Sequence, residues 1–331
     1  MTPTEAAYRI DGPQYCNWSE NIFREVRQGG LDGLHVTIAY HEDFRETVER
    51  LVDWNRHFAR HPDLLIPGRT AADIAEARMT NRTAVFFGLQ NASPIEDDIG
   101  LVEILHRLGV RFMQLTYNNQ SLLGAGCYEN EDAGITRMGR EVIGEMNRVG
   151  MAIDMSHSAE RTTLEAIELS DRPICISHAN PSAWHPVARN KSDDVLKALG
   201  ETGGMLGFSL YPHHLQGGPA CTLDAFTEMV ARTADLMGVE HIGMGSDLCQ
   251  DQPDSVVEWM RNGRWTKGGV ETPGLGMPVF PPPTSWFKSN LDWDGVAEGL
   301  RARGFSAEET GRIMGGNWYD YFKLSFEPQG A

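Results

Sequence analysis

The sequence predicts a (β/α)8 TIM barrel that forms a single domain over residues 1–331. Short β-rich segments that end in polar residues alternate with helical patterns, which is typical of a parallel sheet with crossover helices. Eight such segments occur, and no GxGxxG phosphate loop follows the first, which favours a closed barrel over an open doubly wound sheet. At a length of 331 residues, α/β barrels commonly remain one domain.

The elements can be assigned in order along the chain. The predicted strands cover residues 8–12, 34–40, 83–91, 112–118, 151–158, 173–180, 205–211 and 241–248. The predicted helices between them include residues 45–59, 100–108, 139–149, 160–169, 193–199 and 223–237. Gly109, Gly150 and Gly238 stand where a helix gives way to the next strand, so we expect them to be helix C-caps.

The segment 251–289 interrupts this alternation. It is rich in Pro, Gly and Trp and has no clear periodicity, which predicts a long loop or lid over the barrel mouth. C-terminal helices are predicted after it, at residues 293–303 and 306–314, within a helical region of about 293–325.

Composition and charge narrow the classes of function. The formal net charge of −17 gives a surface that repels phosphate backbones and anionic lipids, so we expect no nucleic-acid and no membrane partner. The five cysteines form no CxxC pair, which argues against a disulfide framework or a structural zinc knuckle. Neither a secretion signal nor a membrane-spanning apolar run is evident, and we therefore expect a cytoplasmic protein.

The candidate site is found from the polar residues at the strand ends, because the carboxyl ends of barrel strands converge on the active-site mouth. These residues are Gln90, Tyr117, His157, His178 and Asp247. Each alone could be a capping or hydrogen-bonded buried group. Two histidines on neighbouring strands, together with a carboxylate, favour a catalytic or metal-binding cavity.

Loop residues add further candidates. Arg189 follows the sixth strand, where its guanidinium could clamp a substrate carboxylate. Asn118, beside the tyrosine that ends the fourth strand, is a candidate substrate contact, as is Gln90. The pair His213 and His214 lies in a loop and is a secondary candidate, and Cys127 has no His or Asp beside it in sequence to activate a thiol.

Several segments resemble the membrane (renal) dipeptidase family, peptidase family M19. They are GREVIGEMNRVGMAIDMSH (139–157), ISHAN (176–180), RNKSD (189–193), IGMGSD (242–247) and MGGNW (314–318). The resemblance implies a metallo-dependent hydrolase barrel with two zinc ions bridged by a glutamate, dipeptides as substrates, and a homodimer. It also implies that His157 and His178 ligate one metal, that Arg189 holds the substrate carboxylate, and that Asp247 transfers a proton.

The sequence departs from the family pattern at three places. The first strand should end in a His-x-Asp pair, but the run here is DGPQYC (11–16), so both ligands of the other metal are missing. Gln90 replaces the bridging glutamate, and Tyr117 replaces the histidine that contacts the substrate carbonyl. The same Gln and Tyr resemble a bacterial subgroup of the family. Since two zinc ions need several anionic ligands, we expect no binuclear centre.

Three hypotheses follow. In the first, the protein is a hydrolase of a small carboxylate-bearing amide or dipeptide-like substrate, with one Zn2+ on His157 and His178. Asp247 is then either the third ligand or the proton carrier, and Tyr117 polarises the scissile carbonyl. In the second, the same polar cluster works without metal as a lyase, isomerase or hydrolase. In the third, the barrel binds a small molecule without catalysis.

Overall fold

Eight parallel strands form a barrel in the residues that the computed structural model describes, 8–263 and 278–326. With one further short strand, β3, the sheet has nine described strands: β1 (Ile10–Gln14), β2 (Gly33–Ala39), β3 (Leu65–Pro67), β4 (Thr83–Leu89), β5 (Val110–Gln114), β6 (Ala152–Asp154), β7 (Cys175–Ala179), β8 (Met205–Phe208) and β9 (Ile242–Met244). Around the ring the order is β1-β2-β4-β5-β6-β7-β8-β9, and β3 pairs outside it with β4. The predicted barrel is confirmed.

The ring is completed where the end of β1 and the residue after it meet the residues that follow β9. Tyr15 N donates to Leu248 O at 2.9 Å, and Asp247 N donates to Pro13 O at 3.1 Å. All residues of β1, β2 and β4 are buried, because helices cover the outside of the barrel and side chains fill its inside.

Helices surround the barrel. They are α1 (Glu20–Gln28), α2 (Phe44–Arg60), α3 (Ala71–Met79), α4 (Gly100–Arg107), α5 (Arg137–Val149), α6 (Glu160–Leu169), α7 (Asp193–Glu201), α8 (Leu223–Met237), α9 (Ser255–Asn262), α10 (Trp293–Arg303), α11 (Ala307–Gly311) and α12 (Asn317–Ser325). The predicted bounds of α6, α8 and α10 coincide with the observed ones. Gly150 caps α5 in the left-handed conformation, φ 80°, as the sequence predicts. None of the described helices combines the length and the apolar character that crossing a bilayer requires.

The segment predicted to be a long loop, 251–289, contains the helix α9. Val257 and Met260 are buried on one side of this helix. The helix has only eight residues and stands in a segment rich in proline and glycine, so its apolar periodicity was too short to predict it. Residues 264–277 of the predicted loop lie outside the described residues. The predicted helix at 306–314 is also divided, into α11 and a π-helical turn that leads into α12.

Seven of the eight strands of the ring end earlier than predicted, whereas β1 ends later, at Gln14 instead of residue 12. Beyond the ends of β6 and β9, buried carboxylates replace the backbone ladder near the mouth. Asp154 Oδ1 accepts the N–H groups of Ser156 and Ser177, both at 3.0 Å. Asp11 Oδ1 accepts the N–H group of Ser246 at 2.8 Å. The residues beyond these aspartates are thereby held by side chains instead of strand pairing, and they form the rim of the mouth.

The opposite end of the barrel is closed by α12. Phe322 packs against Phe86 and Phe112, with ring centroids 5.0 and 5.4 Å apart. Trp318 Nε1 donates to Met244 O at 2.8 Å. His35 stacks on Phe112 at 4.2 Å, and burial lowers the pKa of His35 to about 3, so this imidazole is neutral inside the core. The packing at this end therefore stabilises the barrel, whereas the polar mouth at the other end is the place where an active site is expected.

Candidate active site

One cavity at the carboxyl ends of the strands collects most of the predicted site residues. It has a volume of about 650 Å³, counting the open space at its mouth. The predicted residues that line it are Gln90, Tyr117, Asn118, His157, Arg189 and Asp247. His178 lies directly behind His157 and is fully buried. Residues from six different strand ends and loops thus meet at one place, as the convergence of a barrel requires.

His157 and His178 form a contacting pair, in which His157 lines the cavity and His178 lies behind it. Their Nε2 atoms lie 3.0 Å apart. His157 Nδ1 contacts the side-chain oxygen of Asn118 at 2.7 Å, and an amide oxygen only accepts, so this Nδ1 carries a hydrogen. His178 Nδ1 contacts Ser177 Oγ at 2.8 Å, and that hydroxyl donates to Asp154, so this Nδ1 also carries a hydrogen. Each neutral ring therefore has an unprotonated Nε2 atom, and these two nitrogens are neighbours.

The two imidazoles could supply two of the ligands of one metal ion. Burial, and then the nearby Arg189 cation, lower the pKa of both histidines well below the usual value, so both remain neutral ligand-type imidazoles. Two imidazole nitrogens on one tetrahedral zinc ion lie roughly 3.3 Å apart, close to the observed separation of the Nε2 atoms. Hydrogen-bonded Nδ1 atoms are also the usual outer support of metal-binding histidines.

A three-ligand protein site is not formed. In the part of the chain that the structure describes, no group of three His, Cys, Asp or Glu side chains is close enough to hold an ion. The predicted set of His157, His178 and Asp247 is therefore not assembled, because β8 separates β7 from β9 and the N–H of Asp247 is tied towards β1. Of the two roles predicted for Asp247, the geometry favours proton transfer.

Asp247 stands at a strained turn on the cavity wall. Its φ of +56° is unusual for a residue with a side chain, and such strain is often kept at functional positions. Burial raises the pKa of its carboxyl to about 7, and the charge of Arg189 partly offsets the rise. A carboxyl that titrates near neutral pH can accept and return a proton during turnover.

Arg189 is a buried cation that serves the cavity. Its guanidinium donates to Ser156 O, and to His178 O at 3.1 Å, and only 3% of the residue is exposed. No carboxylate of the described residues lies within ion-pair distance of it. A buried charge normally needs a partner, so the structure leaves this guanidinium available for an anion that enters the cavity.

The other side of the mouth is neutral and aromatic. Tyr40 packs edge-on against Tyr15 at 4.8 Å and against Tyr117 at 5.3 Å, and Tyr117 stacks on His157 at 4.1 Å. Gln90 Nε2 donates to Thr37 Oγ1 at 2.8 Å. Burial raises the pKa of Tyr40 and Tyr117 well above the usual value, so both are phenols. These neutral groups do not fit a second zinc ion, which needs anionic ligands.

Several cavity residues escaped the prediction. Among them are Tyr40, Tyr128, Tyr211, Val257 and Met260. Tyr40 ends a strand and could have been found by the rule that found Gln90, whereas Val257 and Met260 depend on where α9 folds. The secondary candidates His213 and His214 do line the cavity. Cys127 is not among its lining residues, and burial raises the pKa of its thiol, which gives no support to a thiolate nucleophile.

Comparison with known proteins places the chain in a family. The model of the membrane dipeptidase family (peptidase family M19) matches residues 18–260. The dipeptidase verJ from Clonostachys rogersoniana is 30% identical over 217 residues, which are 64% of this chain and 55% of that protein. The chain thus spans about half the length of the curated relatives it matches.

Solved structures agree in fold. An amidohydrolase from Pseudomonas aeruginosa superposes with a TM-score of 0.91 and 33% identity, covering 97% of both chains. A metallo peptidase from Rhodobacter sphaeroides, liganded with a phosphinate mimic of the dipeptide L-Ala-D-Ala, has a TM-score of 0.79 and 18% identity. It covers 97% of this chain and 100% of that one, and at this identity it shows the fold alone. By the family model and the shared barrel, the chain belongs to the membrane dipeptidase family, peptidase family M19.

Proposed function

We propose that this protein is a hydrolase of small amide or dipeptide-like substrates that carry a carboxylate, and that it works with one zinc ion. The observation that carries the proposal is the buried Arg189 guanidinium, which lines the same cavity as His157 and lacks a carboxylate partner among the described residues. A bidentate arginine fixes a carboxylate in one orientation, so the amide bond is held at a defined distance from it.

His157 and His178 would hold the ion. When bound, it supplies a water with a pKa near neutrality and polarises the scissile carbonyl. Asn118 and Ser177 keep the two rings in the required tautomer through their contacts with the Nδ1 atoms. The hydroxyl of Tyr117 donates a hydrogen bond to the carbonyl oxygen as negative charge develops there. Asp247 takes a proton from the attacking water and returns it to the leaving nitrogen.

The test compares each substrate with its neutral analogue. Wild-type protein loaded with zinc is expected to hydrolyse carboxylate-bearing amides about 100-fold better, in kcat/KM, than the same compounds with a terminal carboxamide. Arg189→Met should erase that preference, mainly by raising KM. Arg161→Met, which removes an exposed cation paired with Glu165, is the matched control and should keep the preference. If Arg189→Met left KM for the carboxylate unchanged, the proposed clamp would be wrong.

A second candidate is a metal-free enzyme that uses the same cavity. The neutral groups at Gln90 and Tyr117 favour it, because they suit acid–base chemistry on an uncharged group better than ligation of a cation. The two candidates separate in one experiment, in which turnover is measured after exhaustive chelation and again after zinc is restored. Activity that needs zinc supports the first candidate, and activity that survives chelation supports the second.

A further inference from the structure

The two ends of the cavity differ in polarity. Arg189 follows β7, and Tyr40 follows β2, which lies four strands away around the eight-stranded ring. The two side chains therefore stand on opposite sides of the mouth, and both line the cavity. A substrate whose carboxylate is held by Arg189 would therefore extend past His157 towards Tyr40.

The end opposite Arg189 is apolar. Tyr40, Tyr117, Val257 and Met260 form one buried cluster that joins the barrel rim to α9. Val257 is 1% exposed and Met260 is 9% exposed, because both side chains of α9 pack against the tyrosines. The contact of His41 Nε2 with Met260 O, 3.1 Å, fixes α9 over this end of the cavity. The wall is suited to a hydrocarbon or aromatic group.

This end also lacks a partner for a positive charge. A free dipeptide held by its carboxylate would bring its ammonium group here. Of the described residues that line the cavity, Asp247 alone has a carboxylate, and the proposed mechanism uses it for proton transfer. Glu42, next to Tyr40 in the buried rim, does not line the cavity and accepts the N–H groups of Tyr40 and His41 at 2.7 and 3.1 Å. An unpaired ammonium against this wall would lose its hydration without replacement.

We propose, on the basis of the function proposed above, that the substrates are N-acyl amino acids with an apolar acyl group, and that Tyr40, Val257 and Met260 form the acyl subsite. In the reaction, the oxygen of water bonds to the acyl carbonyl carbon and the bond from that carbon to nitrogen breaks. One proton of the water goes to the nitrogen. The products are a carboxylic acid and a free amino acid.

Two compounds that differ by a single group test this inference. 3-Phenylpropanoyl-alanine has the shape of the dipeptide phenylalanyl-alanine without its ammonium group. With zinc-loaded wild-type protein, and with both configurations of alanine, kcat/KM should be at least about ten-fold greater for the acyl compound. Equal or faster hydrolysis of the dipeptide would contradict the proposed N-acyl substrate class and would remain consistent with the proposed hydrolase function. Hydrolysis of neither compound contradicts the hydrolase and this inference together.

Two variants locate the subsite. Met260→Ala should raise KM for the acyl compound roughly five-fold, and Met79→Ala, at a methionine that is 80% exposed, should leave it unchanged. Gln90→Glu places a carboxylate beside Tyr40 and should shift the ratio of the two kcat/KM values about ten-fold towards the dipeptide. Because both substrates are measured on the same protein, partial loss of folding cancels in that ratio. If Gln90→Glu left the ratio of the two kcat/KM values unchanged, and Met260→Ala left KM for the acyl compound unchanged, the acyl group would bind elsewhere.

Discussion

Around the barrel mouth, β6 leads into an imidazole and β7 contains one near its end, whereas β1 and β2 are followed by phenols and β4 by a neutral amide. We call His157, His178 and Arg189 the histidine half, and Tyr15, Tyr40 and Gln90 the tyrosine half. The histidine half has two neighbouring imidazole nitrogens and a buried cation, which suit a metal ion and an anion. The tyrosine half has no charge and packs ring against ring.

Two buried aspartates show how the halves diverge. Asp154 accepts from Ser177, whose hydroxyl in turn contacts His178 Nδ1 at 2.8 Å, so this carboxylate orients a functional ring. Asp11 instead accepts from Ser246, and from Gln14 Nε2 at 2.7 Å, so this carboxylate ties β1 to the end of β9. One buried carboxylate supports the site and the other closes the barrel. The polar groups beneath a strand end therefore decide whether that end can ligate a metal.

The largest difference between the halves should appear on removing an imidazole. His178→Ala is expected to lower kcat/KM by at least about 10³-fold, because it removes one of the two ligand-type nitrogens. Ser177→Ala should cost only about ten-fold, since it loosens the ring and leaves the nitrogen present. Steady-state kinetics on the best acyl or dipeptide substrate measures both. If His178→Ala and Ser177→Ala lowered kcat/KM equally, residues Ser177 and His178 would have a structural role and not a ligand role.

Tyr117 lies where the two halves meet, and its hydroxyl is expected to act only in the transition state. Tyr117→Phe should therefore lower kcat about 100-fold and leave KM nearly unchanged, because the ring and its stacking on His157 are retained. A rise in KM without loss of kcat would assign the hydroxyl to substrate binding instead.

The sequence predicts which residues meet, since strand ends of a barrel must converge, and this rule alone brings Gln90, His157 and Asp247 to one mouth. It does not reveal that the two Nε2 atoms face each other, because this depends on Asn118 and Ser177 contacting the far side of each ring. The acyl wall also escapes prediction. Val257 and Met260 reach the cavity only because α9 packs over the barrel rim, and the local sequence pattern does not predict that position.

The pH dependence tests Asp247. Since burial raises the pKa of this carboxyl to about 7 and the proton carrier must start deprotonated, kcat/KM should rise about ten-fold between pH 6 and 8. The folded protein also binds a proton here that the unfolded chain has already released. Stability from this group is therefore lost as pH rises from about 4 through 7. Asp247→Asn should remove the kinetic rise and unfold at a higher temperature than wild type at pH 8.

The smallest effect is expected in the tyrosine half. Tyr15→Phe removes a hydroxyl and retains the ring that packs on Tyr40, so kcat/KM should change by less than about two-fold. The measurement is the same steady-state assay with wild type in parallel. A loss approaching that of His178→Ala would show that the phenols, too, ligate or transfer protons, and the distinction between the halves would fail.

Metal stoichiometry tests the distinction between the halves most directly. Wild-type protein equilibrated with zinc and freed of excess metal is analysed by inductively coupled plasma mass spectrometry, beside His178→Ala and Tyr15→Phe. One zinc per chain is predicted in wild type and in Tyr15→Phe, and far less than one in His178→Ala. Two zinc ions per chain, or one retained without His178, would contradict the assignment of metal binding to the histidine half alone.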